Sequence, residues 1–277
     1  MRPVRFIGLA LAVLASIGQA TPATPLVAAR ELYNLGRFDE AIAAARRALD
    51  AEDDRNAAAV VLARAHLERY RQRLEPADLR SAEAALERVE ATALNASDHV
   101  EWLVALGVAL YLDDEGGLED RYSAAAELFE MVLERADGAV GATSRERILE
   151  WWASALDRQA QFGQASKREA IYARVLARAD HELSRNDRST VAFYWRVAAL
   201  AGIGDFERAW GAAVAAWLQA GHLNADGAAL RFDLDRFVMT VLLPERAMQL
   251  TPDADPRPTL ERLAAGWESF KAKWKTP

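Results

Sequence analysis

The chain has 277 residues, of which 52% are hydrophobic and 27% charged, with a net charge of −7 and no cysteine. The acidic balance disfavours nucleic acid and anionic lipid surfaces as partners. Without cysteine there are no disulfides, so the fold must stand on its hydrophobic core, which a chain of this length can build.

The first twenty residues read as a processing segment. Arg2 and Arg5 precede an apolar run from Phe6 to Ile17, and Gly18 and Ala20 supply small residues for a peptidase. Cleavage is expected after Ala20, and an uncleaved anchor is the alternative. The apolar run is short for a bilayer crossing, and no cysteine follows it to carry a lipid. Removing this leader takes two arginines and brings the net charge to −9. Arginine outnumbers lysine 30 to 4, the usage of a GC-rich bacterial genome, so the expected location is periplasmic or secreted. No later apolar run is long enough for a membrane helix, and no membrane insertion is expected.

Helical periodicity governs the chain from Leu26 to Leu218, with no sustained two-residue alternation to indicate strands. Helices are predicted in pairs. The first pair is Pro25 to Leu35 and Phe38 to Ala51, turning at Gly36, with Ala41, Ala45 and Ala48 on one stripe. Asp53, Asp54 and Asn56 are expected to cap the next start. The second pair is Asn56 to Arg71 and Pro76 to Glu90. The third is Ser97 to Leu112 and Glu119 to Arg135, with Leu106-Gly107 as its close-contact pair. The fourth, Ser144 to Gln161 and Ala165 to Leu183, is the least regular, because arginine stands where an apolar residue is expected. The fifth is Thr190 to Ala201 and Phe206 to Ala220, with Ala209, Ala213, Ala216 and Trp217 as its buried stripe. Beyond it, Leu230, Phe232, Leu234, Phe237, Val238 and Leu242 are available for burial. Pro244 should break or kink that segment. A proline-rich linker from Thr251 to Pro258 precedes a last helix whose stripe is Leu260, Leu263, Ala264, Trp267, Phe270 and Trp274.

Two segments nearly repeat: Gly36-Arg37-Phe38-Asp39-Glu40-Ala41 and Gly204-Asp205-Phe206-Glu207-Arg208-Ala209. The marker alanines Ala41, Ala82, Ala125, Ala170 and Ala209 recur at spacings of 41, 43, 45 and 39 residues. This helical core resembles the tetratricopeptide repeat, whose unit is about 34 residues. The resemblance covers residues 24 to 220. It implies an all-α, right-handed α-solenoid of about five antiparallel helix pairs. The expected divisions are a signal peptide over 1–20, a repeat domain over 21–220 and a C-terminal helical cap over 221–277.

The sequence carries no recognisable catalytic or metal-binding motif. His66, His99, His181 and His222 belong to no zinc motif. His66 reads as packed or hydrogen-bonded in an apolar face. There is no Gly-x-Ser-x-Gly elbow, phosphate-binding loop or dinucleotide fingerprint. Asp113 to Gly117 is acidic but lacks the ligand pattern of a calcium loop. Asn95-Ala96-Ser97 matches a glycosylation sequon but reads as a helix cap. Arg69, Arg71, Arg73 and Arg80 read as a solvated basic face, the other reading being a site for an acidic partner segment. No catalytic residue, metal site or cofactor is expected.

In tetratricopeptide stacks the first helices line a concave groove. The resemblance therefore places binding on Arg30, Tyr33, Asn34, Arg64, Tyr111, Asp157 and Tyr194. Val60, Leu67, Glu101, Val104, Val108, Glu150, Ser154 and Ala198 complete that expected surface. Its mixed apolar and aromatic character suits an extended peptide or a helix. Alternatively, the C-terminal segment packs on the same residues. The expected function is a non-enzymatic exported scaffold for a protein or peptide partner. The alternative is a ligand-binding accessory protein whose C-terminal helices close a small-molecule pocket. The two-carboxylate clamp of chaperone-binding repeats is missing its lysine and asparagine set.

Overall fold

The computed structural model describes residues 24–113, 117–135 and 142–274, and the expected leader and most of the Asp113–Gly117 loop lie outside them. The described residues form helices and turns, with no strand among them, so the protein is all-α. The helices are α1 (Pro25–Asn34), α2 (Phe38–Ala48), α3 (Arg55–Arg73), α4 (Pro76–Leu86), α5 (Ala96–Leu112), α6 (Leu118–Arg135) and α7 (Ala142–Phe162). They continue as α8 (Ala165–Arg185), α9 (Thr190–Ile203), α10 (Phe206–Ala220), α11 (Asn224–Phe237), α12 (Leu243–Leu250) and α13 (Arg257–Lys273).

Neighbours in the chain pack on one another, and the odd-numbered helices also touch in series: α1 on α3, α3 on α5, α5 on α7, α7 on α9, and α9 on α11. One apolar core runs from α1 into α9, and a second begins on the far side of α9 and extends to α13. Small side chains make the close contacts. Ala41, Ala44, Ala45, Ala48, Ala58, Ala63 and Ala65 are all buried. An added Cβ at Gly107 would stand 2.8 Å from the Phe129 ring, so α5 and α6 approach closely only with glycine there.

The two near-identical segments make equivalent turns. Gly36 and Gly204 have φ of +72° and +88° with open space around them, so the requirement is backbone conformation, not room. The acid at the fourth position of each segment pairs with an arginine on a later helix. Asp39 accepts from Arg69 (2.7 Å) and Arg73 (2.7 Å) on α3, and Glu207 accepts from Arg246 on α12.

Several expectations are corrected. Ala170 is exposed, whereas Ala41, Ala82, Ala125 and Ala209 are fully buried. The buried face of α8 is instead Tyr172, Val175, Ala179 and Glu182. The irregular arginines there have partners. Arg174 and Arg178 lie over the ring of the buried Trp152, and Arg178 donates to Glu182 (3.1 Å). Arg145 grips the same carboxylate at 2.6 and 2.9 Å, tying α7 to α8. Asn95 does cap α5, accepting from the Asp98 backbone at 2.9 Å. Asp54 makes no side-chain cap bond, and the Asn56 side chain accepts from the backbone of Glu90 instead. Arg71, Arg73 and Arg80 are exposed, as a solvated face requires, and Arg69 is part-buried. Arg69, Arg71 and Arg73 also pair with carboxylates: Arg69 with Asp78 and Asp39, Arg71 with Glu68, and Arg73 with Asp39.

Pro244 does not end its helix. A π-helical segment, Val238–Leu242, precedes it, and helix continues to Leu250. A widened turn is a way for a helix to adjust to proline's ring and to the hydrogen bond that its missing N–H cannot make. Leu230, Leu234, Val238 and Leu242 are buried as expected, but Phe232 is 69% exposed. In α13 Trp267 is fully buried while Trp274, at the helix end, is exposed. Trp267 packs edge-to-face on Trp210 (5.5 Å) and Trp217 (5.3 Å) of α10, and its Nε1 donates to Asp235 of α11 (2.8 Å).

Candidate functional site

The odd-numbered helices present their open edges along one trough, which holds two clefts. The first, about 580 Å³, is lined by Tyr111 of α5, by Glu150, Ser154, Asp157, Arg158 and Gln161 of α7, and by Thr190, Val191, Tyr194 and Trp195 of α9. Its far wall is α11, through Asp226, Ala229, Leu230, Asp233 and Arg236. The second cleft, about 710 Å³, is lined by Tyr33 and Asn34 of α1, Gly36 and Phe38 at the following turn, Glu68 and Arg71 of α3, and again Tyr111. Arg147, Glu150, Trp151 and Ser154 of α7 complete it. Tyr111, Glu150 and Ser154 belong to both, so the clefts are continuous from α1 to α11.

Helical spacing explains the lining. Glu150, Ser154, Asp157 and Gln161 follow one another at four, three and four residues along α7, which puts them on one face. Glu150 is held at both carboxylate oxygens, by Trp195 Nε1 (2.9 Å) and by Ser154 Oγ (3.4 Å). The residue has an open flank, yet protein atoms surround the carboxyl itself. That burial, with Asp233 and Glu146 nearby, pushes its pKa up against the pull of the two donors. Asp157 accepts from the Tyr172 hydroxyl (2.7 Å) and from Gln161 (2.8 Å). Burial, and then the neighbouring carboxylates Glu150, Asp157 and Asp233, push the Tyr194 hydroxyl up to about 12. It is therefore a neutral donor at physiological pH.

Aromatic rings build the floor. Tyr111 meets Trp151 edge-on at 5.0 Å, Arg71 lies over the Trp151 ring at 5.0 Å, and Tyr194 packs on Phe237 at 5.7 Å. Charge is unevenly spread. The cleft toward α11 has four carboxylates, Glu150, Asp157, Asp226 and Asp233, against Arg158 and Arg236. The cleft toward α1 has Glu68 and Glu150 balanced by Arg71 and Arg147.

Of the expected binding residues, Tyr33, Asn34, Tyr111, Asp157 and Tyr194 line the trough, together with Glu150 and Ser154. Arg30 and Arg64 do not. Arg30 pairs with the buried Asp98 of α5. Arg64 pairs with Glu101 (2.6 Å) and lies over the Tyr33 ring at 4.3 Å, so both arginines join odd-numbered helices to one another. Val60, Leu67, Val108 and Ala198 are core residues, not surface. The trough is accordingly more charged than expected, because these apolar members turn inward while acids and arginines line it. No α11 residue is among the expected binding residues, although the alternative reading brings the C-terminal helices to this groove. Asp226, Asp233 and Arg236 stand at spacings of seven and three along one face, a signal present in the sequence but without a known neighbour to give it meaning.

Among the described residues no group of three or more His, Asp or Glu side chains is placed to hold a metal ion, and no helix is long and apolar enough to cross a membrane. Comparison with family models, with curated proteins and with solved structures returns no match to this chain.

Proposed function

We propose that this protein is a non-enzymatic helical-repeat scaffold of the tetratricopeptide kind, whose trough holds an extended segment of a partner protein. The observation that carries the reading is the continuity of the two clefts across six odd-numbered helices, joined at Tyr111, Glu150 and Ser154. A trough that long, floored by rings and edged by charges of both signs, matches an extended chain better than a compact metabolite. The uneven charge gives the segment a direction, with its basic residues toward α9 and α11. On this reading α1 to α10 form a right-handed solenoid of five helix pairs, and α11 to α13 form its cap. The leader-like first twenty residues support a periplasmic or secreted location.

The test is capture from envelope extract on immobilised protein, with variants. Tyr111→Ala and Tyr194→Ala should each weaken capture by about 1–2 kcal/mol without lowering the denaturation midpoint. The double variant Asp226→Lys/Asp233→Lys should abolish it, while Arg208→Glu, outside the trough, should not. Capture that ignores every trough variant overturns the reading. A rival reading is a small-molecule pocket closed by the C-terminal helices. It draws on α11 as one wall of the cleft. Loss of capture together with saturable binding of a small metabolite from the same extract would favour it.

A further inference from the structure

A separate cleft of about 510 Å³ lies between α2, α3 and α4, away from the trough. On α3 it uses Arg55, Ala59, Leu62 and His66, spaced by four, three and four residues, whereas the trough uses Glu68 and Arg71 of that helix. Its floor is apolar: Leu49, Ala59, Leu62, Ala84 and Ala85. Three arginines from three places in the chain line it: Arg46 in the last turn of α2, Arg55 at the first residue of α3, and Arg88 just after α4. Among the described residues the side chains of these three make no ion pair and no hydrogen bond.

The three differ in this from the arginines later in α3. The nearby Arg69, Arg71 and Arg73 all find carboxylates, and the protein is acidic overall. Helix electrostatics account for a cation at the end of α2 but oppose one at the start of α3, where Arg55 stands. The fourth polar wall, His66, is 2% exposed and fixed by Nδ1 on Asp78 (2.8 Å). Burial holds that ring's pKa below its ordinary value, so the cleft's positive charge comes from the guanidinium groups alone. Ser81 Oγ donates to Ala77 O (2.7 Å), so its proton is already committed.

We propose that this cleft binds a small amphiphilic organic anion, its carboxylate or phosphate head held by Arg46, Arg55 and Arg88 and its hydrocarbon body on the Leu49–Leu62–Ala84 floor. Guanidinium groups match both head types through paired N–H donors. The volume lies in the range of small-ligand sites. An inorganic anion lacks a body to cover the floor, and a neutral amphiphile leaves three cations unpaired.

The test is titration calorimetry of the purified protein with octanoate, octyl phosphate, inorganic phosphate and octyl glucoside. At least one of the two charged amphiphiles should bind saturably at one site, at least about tenfold more tightly than inorganic phosphate and octyl glucoside. Arg46→Gln/Arg88→Gln should lower that affinity at least about tenfold, and Arg47→Gln/Arg80→Gln, an equal change of charge outside the cleft, should not. Ala84 is exposed at the cleft, so Ala84→Trp fills the space while keeping every charge. It should abolish binding while the circular dichroism is retained. The proposal is overturned if neither amphiphile binds, if inorganic phosphate binds as tightly as octyl phosphate, or if Ala84→Trp binds normally. Binding to anionic vesicles unchanged in Ala84→Trp, without binding of the free amphiphiles, identifies a charged surface patch and also overturns it. Tyr111→Ala and Tyr194→Ala should leave octanoate or octyl phosphate binding intact, which separates this site from the trough.

Discussion

The two ends of the molecule are packed in different ways. From α1 to α4 the contacts are made by alanine: Ala41, Ala45, Ala48, Ala58, Ala63 and Ala82 are all buried, and helix backbones approach closely. From α10 to α13 the contacts are made by rings: Trp210, Trp217 and Phe270 surround Trp267, which is fully buried. The difference follows from side-chain size. Between α1 and α4 small side chains let neighbouring helices close in. The final helices cover the apolar face of α10 and α11 in the second core, and the space between them takes larger side chains. Bulky rings fill that space, and Asp235 fixes the geometry by accepting from Trp267 and from Lys271 (2.6 Å).

The largest expected effect is at the ring-packed end. Trp267→Ala should cost about 3–5 kcal/mol in chemical denaturation, since it removes a large buried side chain and leaves Asp235 without one donor. A cost no larger than that of a surface change would mean that α13 is held elsewhere. At the alanine-packed end the complementary change is addition. Ala45→Leu, and Ala209→Leu in the equivalent stripe of α10, should each cost about 1–3 kcal/mol through overpacking. Either one tolerated without a shift in midpoint would show that the close approach is not required there.

The third prediction concerns acid. The alanine-packed end contains a buried polar cluster in which Arg69 Nε donates to Asp78 (2.8 Å) and Asp78 holds His66. Burial, helped by Arg69 and Arg46, holds the His66 ring's pKa below its ordinary value against the pull of Asp78. The unfolded ring titrates near about 6.5, so below that pH the unfolded chain takes up a proton that the folded chain refuses. Stability should therefore decline as pH falls from 7 toward 5, and His66→Gln should flatten that slope. Arg69, with the His66 ring, holds the Asp78 carboxyl below its ordinary value despite burial. That contribution is complete above about pH 3.9 and is lost as pH falls further through the folded value. Identical slopes in the native protein and His66→Gln would assign the acid response to other groups.

The smallest effect should come from the repeated acids. Asp39 and Glu207 occupy the same place in the two near-identical segments, but their side chains are 57% and 74% exposed. Replacing either by alanine should leave the denaturation midpoint unchanged within error, because solvent screens such pairs. A marked loss at Asp39 alone would make the N-terminal copy of the turn depend on its ion pairs as well as on glycine.

Local features were legible. The turns at Gly36 and Gly204, the Asn95 cap and the proline at the start of α4 all rest on a few adjacent residues, and the predicted helices match those observed to within a few residues. The errors arise where a residue's role depends on a distant neighbour. Ala170 has the spacing of a marker, yet it is exposed because α8 is turned so that Tyr172, Val175 and Ala179 face inward. Gly202 carries no local signal of its role: an added Cβ there would stand 2.4 Å from the Tyr172 ring, so it marks a close contact of α9 with α8. Arginine in the fourth pair looked like a break in the pattern, and the Trp152 ring gives Arg174 and Arg178 a face to lie on. Arg30 and Arg64 looked free because Asp98 and Glu101 lie on another helix.

The amino-acid sequence by itself determined the helical class, the helix ends and the small-residue stripes, since these follow from propensity, capping and periodicity within one or two turns of chain. Which side of each helix is buried in its neighbours, which charges neutralise one another, and that α11 walls the trough were decided only by the tertiary structure. Those outcomes depend on the rotation of each helix about its axis, and that rotation is set by the side chains of all its neighbours together.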